Sequence, residues 1–530
     1  MLRDPSQITH SSRLLIALVL ASFLPLFACA SATAQSRWVH LGPDGKLVYA
    51  HLTTGDRIPD FSFSGYKAGG VALPTVPTAI TVAPSGADDT TAIQKAIDKV
   101  SGLPLVDGVR GAVELAPGVF HCSGTLNIAA SGVVLRGSGT GGDGSTLQET
   151  GDPRLALSVA GKLNVSAPGA ATYATDDYIP FGATSIHVRS ASGFHPGDIV
   201  RITKQATPAW VKAMGMDELE RPGRNEHWVQ GDLSVRRRVA SVAGNTLTFE
   251  IALMDSYDAK YTGAGQVRVD RVNVSGQIAN VGIENLRVEA PARSVDFSAP
   301  HSSGLDIRDA VDSWVRSVNF VDNTEGVTLN SGTERITLLQ VDVTQHKFVT
   351  SPAKPFDFSI NGSQILIDRC SGTGDLVFYV ATQARQQGPV VVLHSTFHGN
   401  GHLEPHQRWS TGLLIDNTAV PDSEINLINR GTMGSGHGWT IAWSVSWNNT
   451  AARFTIQQPP MSLNWSIGDV GQQQQQPMPT SGGKKGPDLP SGQIESPGKH
   501  VRPNSLYLQQ LYERLGPAAL KNIGYDADAR

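Results

Sequence analysis

The chain has 530 residues, of which 40% are apolar and only 17% are charged, with 55 Gly and 31 Pro. Average soluble proteins carry about 25% charged residues and about 7% Gly, so this composition excludes a coiled coil, and its apolar fraction excludes a chain disordered throughout. The 43 Lys and Arg are balanced by 47 Asp and Glu, which leaves no net positive field to attract nucleic acid. Abundant Gly with little charge indicates a turn-rich β protein.

A secretory signal peptide is predicted over residues 1–34. Basic residues precede an apolar run over residues 14–30, and residues 32–34 read Ala-Thr-Ala, the small-residue pattern of a cleavage site. Pro25 interrupts the run, which is shorter than the ~20 apolar residues that a membrane-spanning helix needs. We therefore expect an exported chain, periplasmic or secreted, with no transmembrane span. The sequence around Cys29 resembles a bacterial lipobox, so a lipid anchor on Cys29 is the alternative.

Two further cysteines, Cys122 and Cys370, lie far apart in the sequence. We expect two buried free thiols, because buried cysteine commonly behaves as a small apolar residue. Export would also permit a disulfide between them, and the spacing alone does not decide the pairing.

The first predicted element is an amphipathic helix near residues 87–100. Asp and Thr residues at 88–91 supply caps for the free N–H groups of its first turn. Its apolar residues recur at helical spacing on one face, namely Ala92, Ile93, Ala96, Ile97 and Val100. Short apolar strands separated by Gly and Pro follow up to about residue 139.

Short strand-like runs recur through the second half of the chain, beginning at Val281, Trp314, Arg335, Gln364 and Val390. Their central apolar residues repeat at intervals of roughly 20–30 residues, which is the period of a solenoid. One coil cannot bury its apolar face alone, so stacked coils share a continuous core. A β-sandwich, the alternative built from short strands, would place turns about every 8–12 residues without a longer period.

Two segments differ from this repeat. Residues 171–268 contain turn signals typical of a small antiparallel β unit, and residues 471–502 combine a Gln run with many Pro, Gly and Ser residues, which indicates a flexible linker. The predicted parts in chain order are the signal peptide (1–34), an N-terminal cap with the first coils (35–170), the inserted β unit (171–268), the main coils with the candidate site (269–470), the linker (471–502) and a C-terminal helix (503–530).

The opening helix, followed by Leu-Ala-Pro-Gly-Val-Phe over 115–120 and Val-Leu-Arg-Gly-Ser-Gly over 134–139, resembles the pectate-lyase superfamily, in the branch whose N-terminal part is similar to rhamnogalacturonase and epimerase proteins. The resemblance implies an all-β, right-handed parallel β-helix with an N-terminal capping helix, a small inserted β unit and a short C-terminal helix. It also implies a carbohydrate-active protein, often on uronic-acid-containing chains, because members act mostly as lyases or hydrolases.

A second block, over residues 405–439, resembles an exported bacterial group of that superfamily. Gln407 stands where a second His of the motif is expected. The Arg-x-Pro-x-x-Arg motif of calcium pectate lyases is absent from the chain, and so are most motifs of polygalacturonase-type hydrolases. The neighbouring Asp88 and Asp89 belong to the opening helix and are not candidates for catalysis.

The block supplies residue types that suit β-elimination on a uronate. That reaction needs a cation to neutralise the carboxylate, a base for the C5 proton and an acid for the leaving oxygen. Arg binds carboxylates bidentately, and His titrates near neutral pH. The separations from Arg408 to Arg430 and from His406 to His437 are close to the coil period, so we predict that these four residues share one face as the catalytic cluster. The alternative is that they pair with coil carboxylates and cap turns.

The substrate-binding candidates are residues with aromatic or cationic side chains. Aromatic faces stack on sugar rings, although burial in the core is the alternative for each tryptophan. The predicted set is Trp409, Trp439, Trp443, His301 and Lys347. No cofactor is specified, but Asp306 and Asp309 are weak candidates for Ca²⁺, which prefers carboxylate oxygens.

Three functions follow, of which the first is the leading hypothesis. It is an exported polysaccharide lyase that cleaves a uronate-containing glycan. A glycoside hydrolase is the second and would need a carboxylate pair, for which the available residues are Asp306, Asp309, Asp357 and Asp375. A non-catalytic carbohydrate-binding or surface β-helix is the third. In each case the partner is a polysaccharide, and the sequence does not indicate the oligomeric state.

Overall fold

The computed structural model describes residues 34–221, 224–226, 228–263, 265–293, 299–346, 353–480 and 485–530. The predicted signal peptide therefore lies outside the described residues except for its last position, and so do Cys29 and Lys347. None of the helices within the described ranges is long and apolar enough to span a membrane.

The structure begins with three short strands, then a helix and the first coils. The elements are β1 (Ala34–Gln35), β2 (Val39–Leu41), β3 (Leu47–Tyr49), a 3₁₀ turn (Tyr66–Ala68), β4 (Thr78–Val82), α1 (Thr90–Ser101), β5 (Gly111–Leu115), β6 (Gly118–Cys122), β7 (Leu126–Ile128), β8 (Val133–Arg136), β9 (Ser145–Glu149) and β10 (Leu155–Ala160).

The predicted inserted β unit is built on a separate seven-stranded antiparallel sheet with its own apolar core, to which two-stranded pairs are added. Its elements are β11 (Asn164–Ser166), β12 (Ala171–Tyr173), β13 (Tyr178–Ile179), β14 (Ser185–His187), β15 (Ile199–Gln205), α2 (Pro208–Ala213), β16 (Leu219–Arg221), β17 (Arg224–Glu226), β18 (Asp232–Ala243), β19 (Thr246–Phe249), β20 (Tyr257–Asp258), α3 (Ala259–Thr262) and β21 (Arg268–Ser275). The sheet thus extends a few residues beyond the predicted bounds at each end.

The main coils follow. They comprise β22 (Ile278–Ala279), β23 (Gly282–Glu289), β24 (Ser303–Arg308), β25 (Ala310–Val321), β26 (Glu325–Leu329), β27 (Glu334–Thr344), β28 (Phe356–Ile360), β29 (Ser363–Asp368), β30 (Ser371–Thr373), β31 (Phe378–Thr382), β32 (Gln387–Leu393), β33 (Thr396–His398), β34 (His402–Leu403), β35 (Ser410–Asp416), β36 (Ala419–Leu427), α4 (Met433–Gly436), β37 (Ile441–Ala442), β38 (Ser444–Trp447), β39 (Thr450–Ile456), β40 (Asn464–Ile467) and β41 (Val470–Gln473).

The C-terminal part contains β42 (Pro477–Pro479), β43 (Lys485–Asp488), β44 (Gln493–Glu495), β45 (Val501–Arg502), α5 (Leu506–Leu515), α6 (Pro517–Asn522) and a 3₁₀ turn (Ala527–Ala529). The predicted flexible linker is wrong, because β44 pairs in parallel with β40 and β45 pairs with β1. The Gln run was misleading because its amides have specific partners: Gln474 donates to Thr455, and Gln475 donates to Ser491.

The predicted fold class is confirmed: the chain forms an all-β parallel β-helix whose main sheet contains only parallel pairings. Each coil pairs with the next in a fixed register, as in the column Leu338, Ile367, Val392 and Ile415. All four side chains are fully buried inside the coils. Each such burial stabilises the fold by about 1.5–3 kcal/mol, so the shared interior is the main source of stability.

Helix α1 closes the N-terminal end of this interior. Its apolar face buries Ile93, Ala96, Ile97 and Val100 against the first coils, as the helical spacing predicts, whereas Ala92, predicted on the same face, is exposed. Cys122 and Cys370 lie in the same interior as free, buried thiols, which confirms the expectation made for them.

A second apolar cluster lies outside the coils, on the outer surface of the sheet that contains β29, β32, β35, β38 and β40 (sheet X). This surface carries large apolar side chains that the N-terminal strands, the inserted unit and helix α5 cover together. Lys204 of the inserted unit lies there in a buried ion pair with Asp255, with its Nζ 2.6 Å from the carboxylate and 4.9 Å from the ring centre of Trp210.

Helix α5 is held against sheet X by Asp416. The Asp416 carboxylate accepts hydrogen bonds from the Ser505 hydroxyl and the Tyr507 N–H, both at 2.8 Å, and Ser505 also caps the helix through Leu508 N–H. Burial raises the pKa of Asp416 from 3.8 to about 7, even though these hydrogen bonds favour the charged form. The folded protein therefore retains a proton that the unfolded chain releases between about pH 4 and 7.

We predict that Asp416 contributes a fall in stability as pH rises from about 4 to 7, since at this group the unfolded chain binds fewer protons than the folded one in that range. Asp416→Asn should remove a few kcal/mol of this fall, because each pKa unit corresponds to about 1.4 kcal/mol. Unfolding midpoints at pH 4, 5.5 and 7 would measure the slope. The exposed Asp528→Asn is the control, and equal slopes in the two variants would contradict the assignment.

Candidate functional site

One outward-facing ladder of side chains marks the site. Strands β28, β31, β34, β36 and β39 follow each other in successive coils (sheet Z). Their registered pairs align Phe356, Phe378, His402, Glu424 and Arg453, one residue per coil. Successive strands lie about 4.8 Å apart, so residues separated by 20–30 positions in the sequence become direct neighbours.

Carboxylates and guanidinium groups alternate along this surface. Arg453 donates two hydrogen bonds to Glu424, at 2.8 and 2.6 Å, and Arg430 Nε lies 3.2 Å from Glu404 Oε1. Asn426 Nδ2 joins the two carboxylates, at 2.9 Å from Glu404 and 3.1 Å from Glu424. The network thus supplies each carboxylate with donors.

Both carboxylates stay ionised because of these partners. Burial alone would raise the pKa of Glu404, but the hydrogen bond with His402 and the charge of Arg430 outweigh it and lower the pKa. For Glu424, burial is likewise outweighed by the hydrogen bonds from Arg453 and Asn426, and the pKa is lowered.

His406 follows β34 and lies beside the ladder. Its ring centre is 5.1 Å from that of Phe356 and 6.0 Å from that of Phe378. Its Nδ1 is 2.9 Å from Gln383 Oε1, while the Gln383 amide nitrogen donates to Ser359. This orientation makes Nδ1 the protonated nitrogen and leaves the lone pair on Nε2.

The His406 ring is neutral at physiological pH. Burial, followed by the repulsion of Arg430, lowers its pKa to about 3. Arg430 lies close, because its Nη1 donates to the His406 carbonyl at 3.0 Å. A neutral imidazole with a free Nε2 lone pair can accept a proton, whereas an imidazolium cannot.

The four residues predicted as a catalytic cluster do converge. The rings of His406 and His437 meet edge to face with centres 4.7 Å apart. Arg408 N–H donates to the His437 carbonyl at 3.0 Å, and its guanidinium donates to Ser435 Oγ at 2.8 Å. Arg430 lies on the other side of His406. The cluster is mostly buried, since Arg430 and His437 are only 6% and 7% exposed.

The predicted tryptophan subsites are not accessible. Trp409, Trp439 and Trp443 are at most 2% exposed and belong to the cluster that covers sheet X. Trp409 donates to Asp255 at 3.2 Å, and Trp443 stacks on Phe181 with ring centres 4.8 Å apart. We correct their role: they hold the inserted unit and the chain before it against the coils.

Other predicted residues lie away from the cluster. Asp306 accepts hydrogen bonds from Arg308 at 2.9 Å and Asn330 at 2.6 Å. His301 Nδ1 lies 3.2 Å from the Ala299 carbonyl, and Asp309 occupies a turn with φ +50°. Within the described ranges, no group of three or more His, Cys, Asp or Glu residues could hold a metal ion.

The two other hydrolase candidates do not form a pair on this surface. Asp357 is fully buried, and burial raises its pKa well above the ordinary value. Asp375 accepts a hydrogen bond from the Asn400 N–H in a turn. A carboxylate pair at the site would instead involve Glu404 and Glu424, neither of which is predicted from the sequence.

Lys354 and Phe378 are two further site residues that are not predicted from the sequence. Lys354 Nζ lies 5.5 Å from the ring centre of Phe378, and Arg430 Cζ lies 5.0 Å from the same centre. Burial lowers the pKa of Lys354. The coil period could have pointed to Phe378 and Phe356, which precede the His402 position by one and two coils respectively, but sequence spacing does not reveal which way a side chain faces.

The comparisons with known proteins concern the fold. Neither a family model nor a curated protein matches the sequence. The fold is similar to the tailspike of Pseudomonas phage phi297 (12% identity over 77% of this chain and 73% of that chain, TM-score 0.37) and to a tailspike of Pseudomonas phage LKA1 (13%, 73% and 69%, 0.34). A third is the tailspike of E. coli bacteriophage HK620 in complex with a pentasaccharide (11%, 74% and 55%, 0.39). Membership of the pectate-lyase superfamily stays a prediction.

We predict that Arg430→Gln raises the pKa of His406 above about 3, because it removes a positive charge that contacts the residue. Histidine-selective NMR titration of the folded protein would measure this shift. Arg453→Gln is the matched control, since Arg453 pairs with Glu424 one coil further along and should change the His406 pKa less. An equal shift in both variants, or none in Arg430→Gln, would contradict the proposed origin of the low pKa.

Proposed function

We propose that the surface around His406 binds an anionic glycan and cleaves it by β-elimination, as a polysaccharide lyase does. The observation that supports this is the position of a neutral imidazole next to cationic groups. Arg430 and Lys354 both approach the Phe378 ring, and His406 packs against the same ring. A neutral base beside cations is the combination that removal of a proton next to a carboxylate requires.

The cations account for activation of the substrate. A uronate carboxylate placed near Lys354 and Arg430 has its charge neutralised, which lowers the pKa of the C5 proton. Lys354 is only half-buried, so it is the more accessible of the two. Arg430 contributes its positive potential while it remains paired with Glu404.

His406 is the proposed base. Its Nε2 lone pair takes the C5 proton, the electrons of the C5–H bond form the C4–C5 double bond, and the C4–O bond breaks. The incoming carboxylate offsets the charge of Arg430, so substrate binding raises the pKa of His406 and strengthens it as a base. His437, whose ring touches His406, is then the proposed donor of a proton to the leaving oxygen.

A hydrolase mechanism is less well supported by the same surface. A carboxylate pair that hydrolyses a glycoside needs one member with a raised pKa, so that it can act as an acid. The pKa values of Glu404 and Glu424 are both lowered. Each carboxylate also has an arginine partner, which favours the ionised form.

We predict that the protein generates an ultraviolet-absorbing unsaturated uronate from one member of a panel of acidic polysaccharides. His406→Gln should lower the rate by about 10²–10⁴-fold, the usual contribution of a general base. His398→Gln is the matched control, since that exposed histidine pairs with Asp422 on a neighbouring strand, and it should keep full activity.

Two outcomes of the same assay would overturn the proposal. New reducing ends without the absorbance would indicate a hydrolase. Binding without any cleavage would indicate a carbohydrate-binding protein. Unchanged turnover in folded His406→Gln would remove His406 from the mechanism even if the lyase activity were found.

A further inference from the structure

We infer that the inserted β unit and the corners of the coils form a groove that holds additional sugar units of the same anionic chain. This inference takes its substrate class from the proposed function. It adds that the protein recognises a polymer through this groove as well as through the candidate site, and that the inserted unit forms one wall of the groove. A polar cavity of about 380 Å³ between the inserted unit and the coils supports this inference.

One wall consists of turns stacked along the coils. The turns over residues 331–334, 361–364 and 384–387 follow strands β26, β28 and β31, which pair with one another in successive coils, and all three turns line the cavity. Stacked turns repeat at about 4.8 Å. Because equivalent turns face the same way in every coil, this wall suits a linear polymer of repeating units.

The inserted unit supplies the opposite wall. Arg201 from β15, with Ser234 and Arg236 from β18, lines the cavity. Arg236 donates to Glu334 on the coil side at 3.1 Å through Nε, which fixes one wall relative to the other. The buried Arg237 spans the same junction, because it donates to the Ala252 carbonyl at 3.1 Å and the Gly388 carbonyl at 3.2 Å. The groove is therefore held open by contacts that do not use a ligand.

The groove begins next to the candidate site. Gln383, which contacts His406, directly precedes the turn that lines the cavity. Within that turn, Arg385 N–H donates to the Arg408 carbonyl at 2.9 Å, and the Arg385 guanidinium donates to the Gln230 and Asp232 carbonyls of the inserted unit. The catalytic cluster, the turn and the inserted unit are thus connected through one residue.

The chemistry of the walls fits an acidic, hydroxyl-rich chain. Ser331, Asn361 and Ser363 contribute hydroxyl and amide groups of the kind that bind sugar hydroxyls. At Arg236 and Glu334 the groove meets a wider cleft of about 610 Å³. Among the described residues that line the two cavities, eight are Arg or Lys and four are Asp or Glu. This excess of positive charge favours an anionic ligand over a neutral one.

The test blocks the groove with Ser234→Trp, since Ser234 is exposed on β18 and lines the cavity. Ser241→Trp is the matched control, on the same strand and equally exposed but outside both cavities. Both variants are compared with wild type on three acidic polysaccharides, polygalacturonate, alginate and hyaluronan, and on size-fractionated oligomers of each. Dextran serves as the neutral polysaccharide. Asn361→Ala, on the coil wall, serves if Ser234→Trp does not fold.

We expect Ser234→Trp to lower kcat/KM on the long acidic chain by about tenfold or more, the effect of losing a few polar contacts, and to leave cleavage of the shortest oligomer unchanged. Ser241→Trp should match wild type on both. Equal effects of the two tryptophan variants, or an equal loss on long and short substrates, would overturn the groove.

Calorimetric binding separates this inference from the proposed function. Binding to a folded His406→Gln protein measures the groove without turnover. If acidic chains bind more weakly to a protein that also carries Ser234→Trp, the groove stands even when no lyase activity is found. If Ser234→Trp leaves their affinity unchanged, the groove is wrong even when the lyase activity is confirmed.

Discussion

The parallel hydrogen-bonded register between coils is the constraint on which the rest of the structure depends. It fixes an outward residue in one coil beside the equivalent residue of the next, so the chain can build a continuous surface from distant positions. The ladder from Phe356 through His402 to Arg453 exists only because five strands keep this register. The same register aligns the turns near Arg385 and Arg408, which connect the ladder to the inserted unit.

The outer surface of sheet X decides where a site can form. Its large apolar side chains must be covered, and the N-terminal strands, the inserted unit and helix α5 do this together. Tryptophans are suited to such a junction, because each buries a wide ring and also places one N–H on a partner, as Trp409 does on Asp255. With this side covered, the charged and titratable residues of the candidate site meet on sheet Z instead.

On sheet Z, neighbouring charges and hydrogen bonds decide which titratable groups are ionised and which are neutral. The hydrogen bond with His402 and the charge of Arg430 keep Glu404 ionised, and hydrogen bonds from Arg453 and Asn426 keep Glu424 ionised, although both carboxylates are largely buried. The same positive charge, added to burial, keeps His406 neutral. Removing one partner from a buried ion pair leaves an uncompensated charge, which costs about 3–5 kcal/mol. The charges are therefore interdependent, and the neutral imidazole is a property of the whole network.

From periodic spacing, the sequence by itself predicted the solenoid, the capping helix and the meeting of His406, Arg408, Arg430 and His437. From the apolar character of cysteine it predicted the two buried thiols. It did not determine which direction a side chain faces within a coil. That left Glu404, Lys354 and Phe378 unrecognised and made three buried tryptophans look available to a sugar. Only the tertiary structure decided which of these side chains are accessible, since the direction in which a side chain points depends on the bend of each corner. Its exposure also depends on which surface the chain termini cover. The Gln-rich segment that reads as a linker likewise forms paired strands, because folding brings its amides to the hydroxyl groups of Thr455 and Ser491, which composition does not reveal.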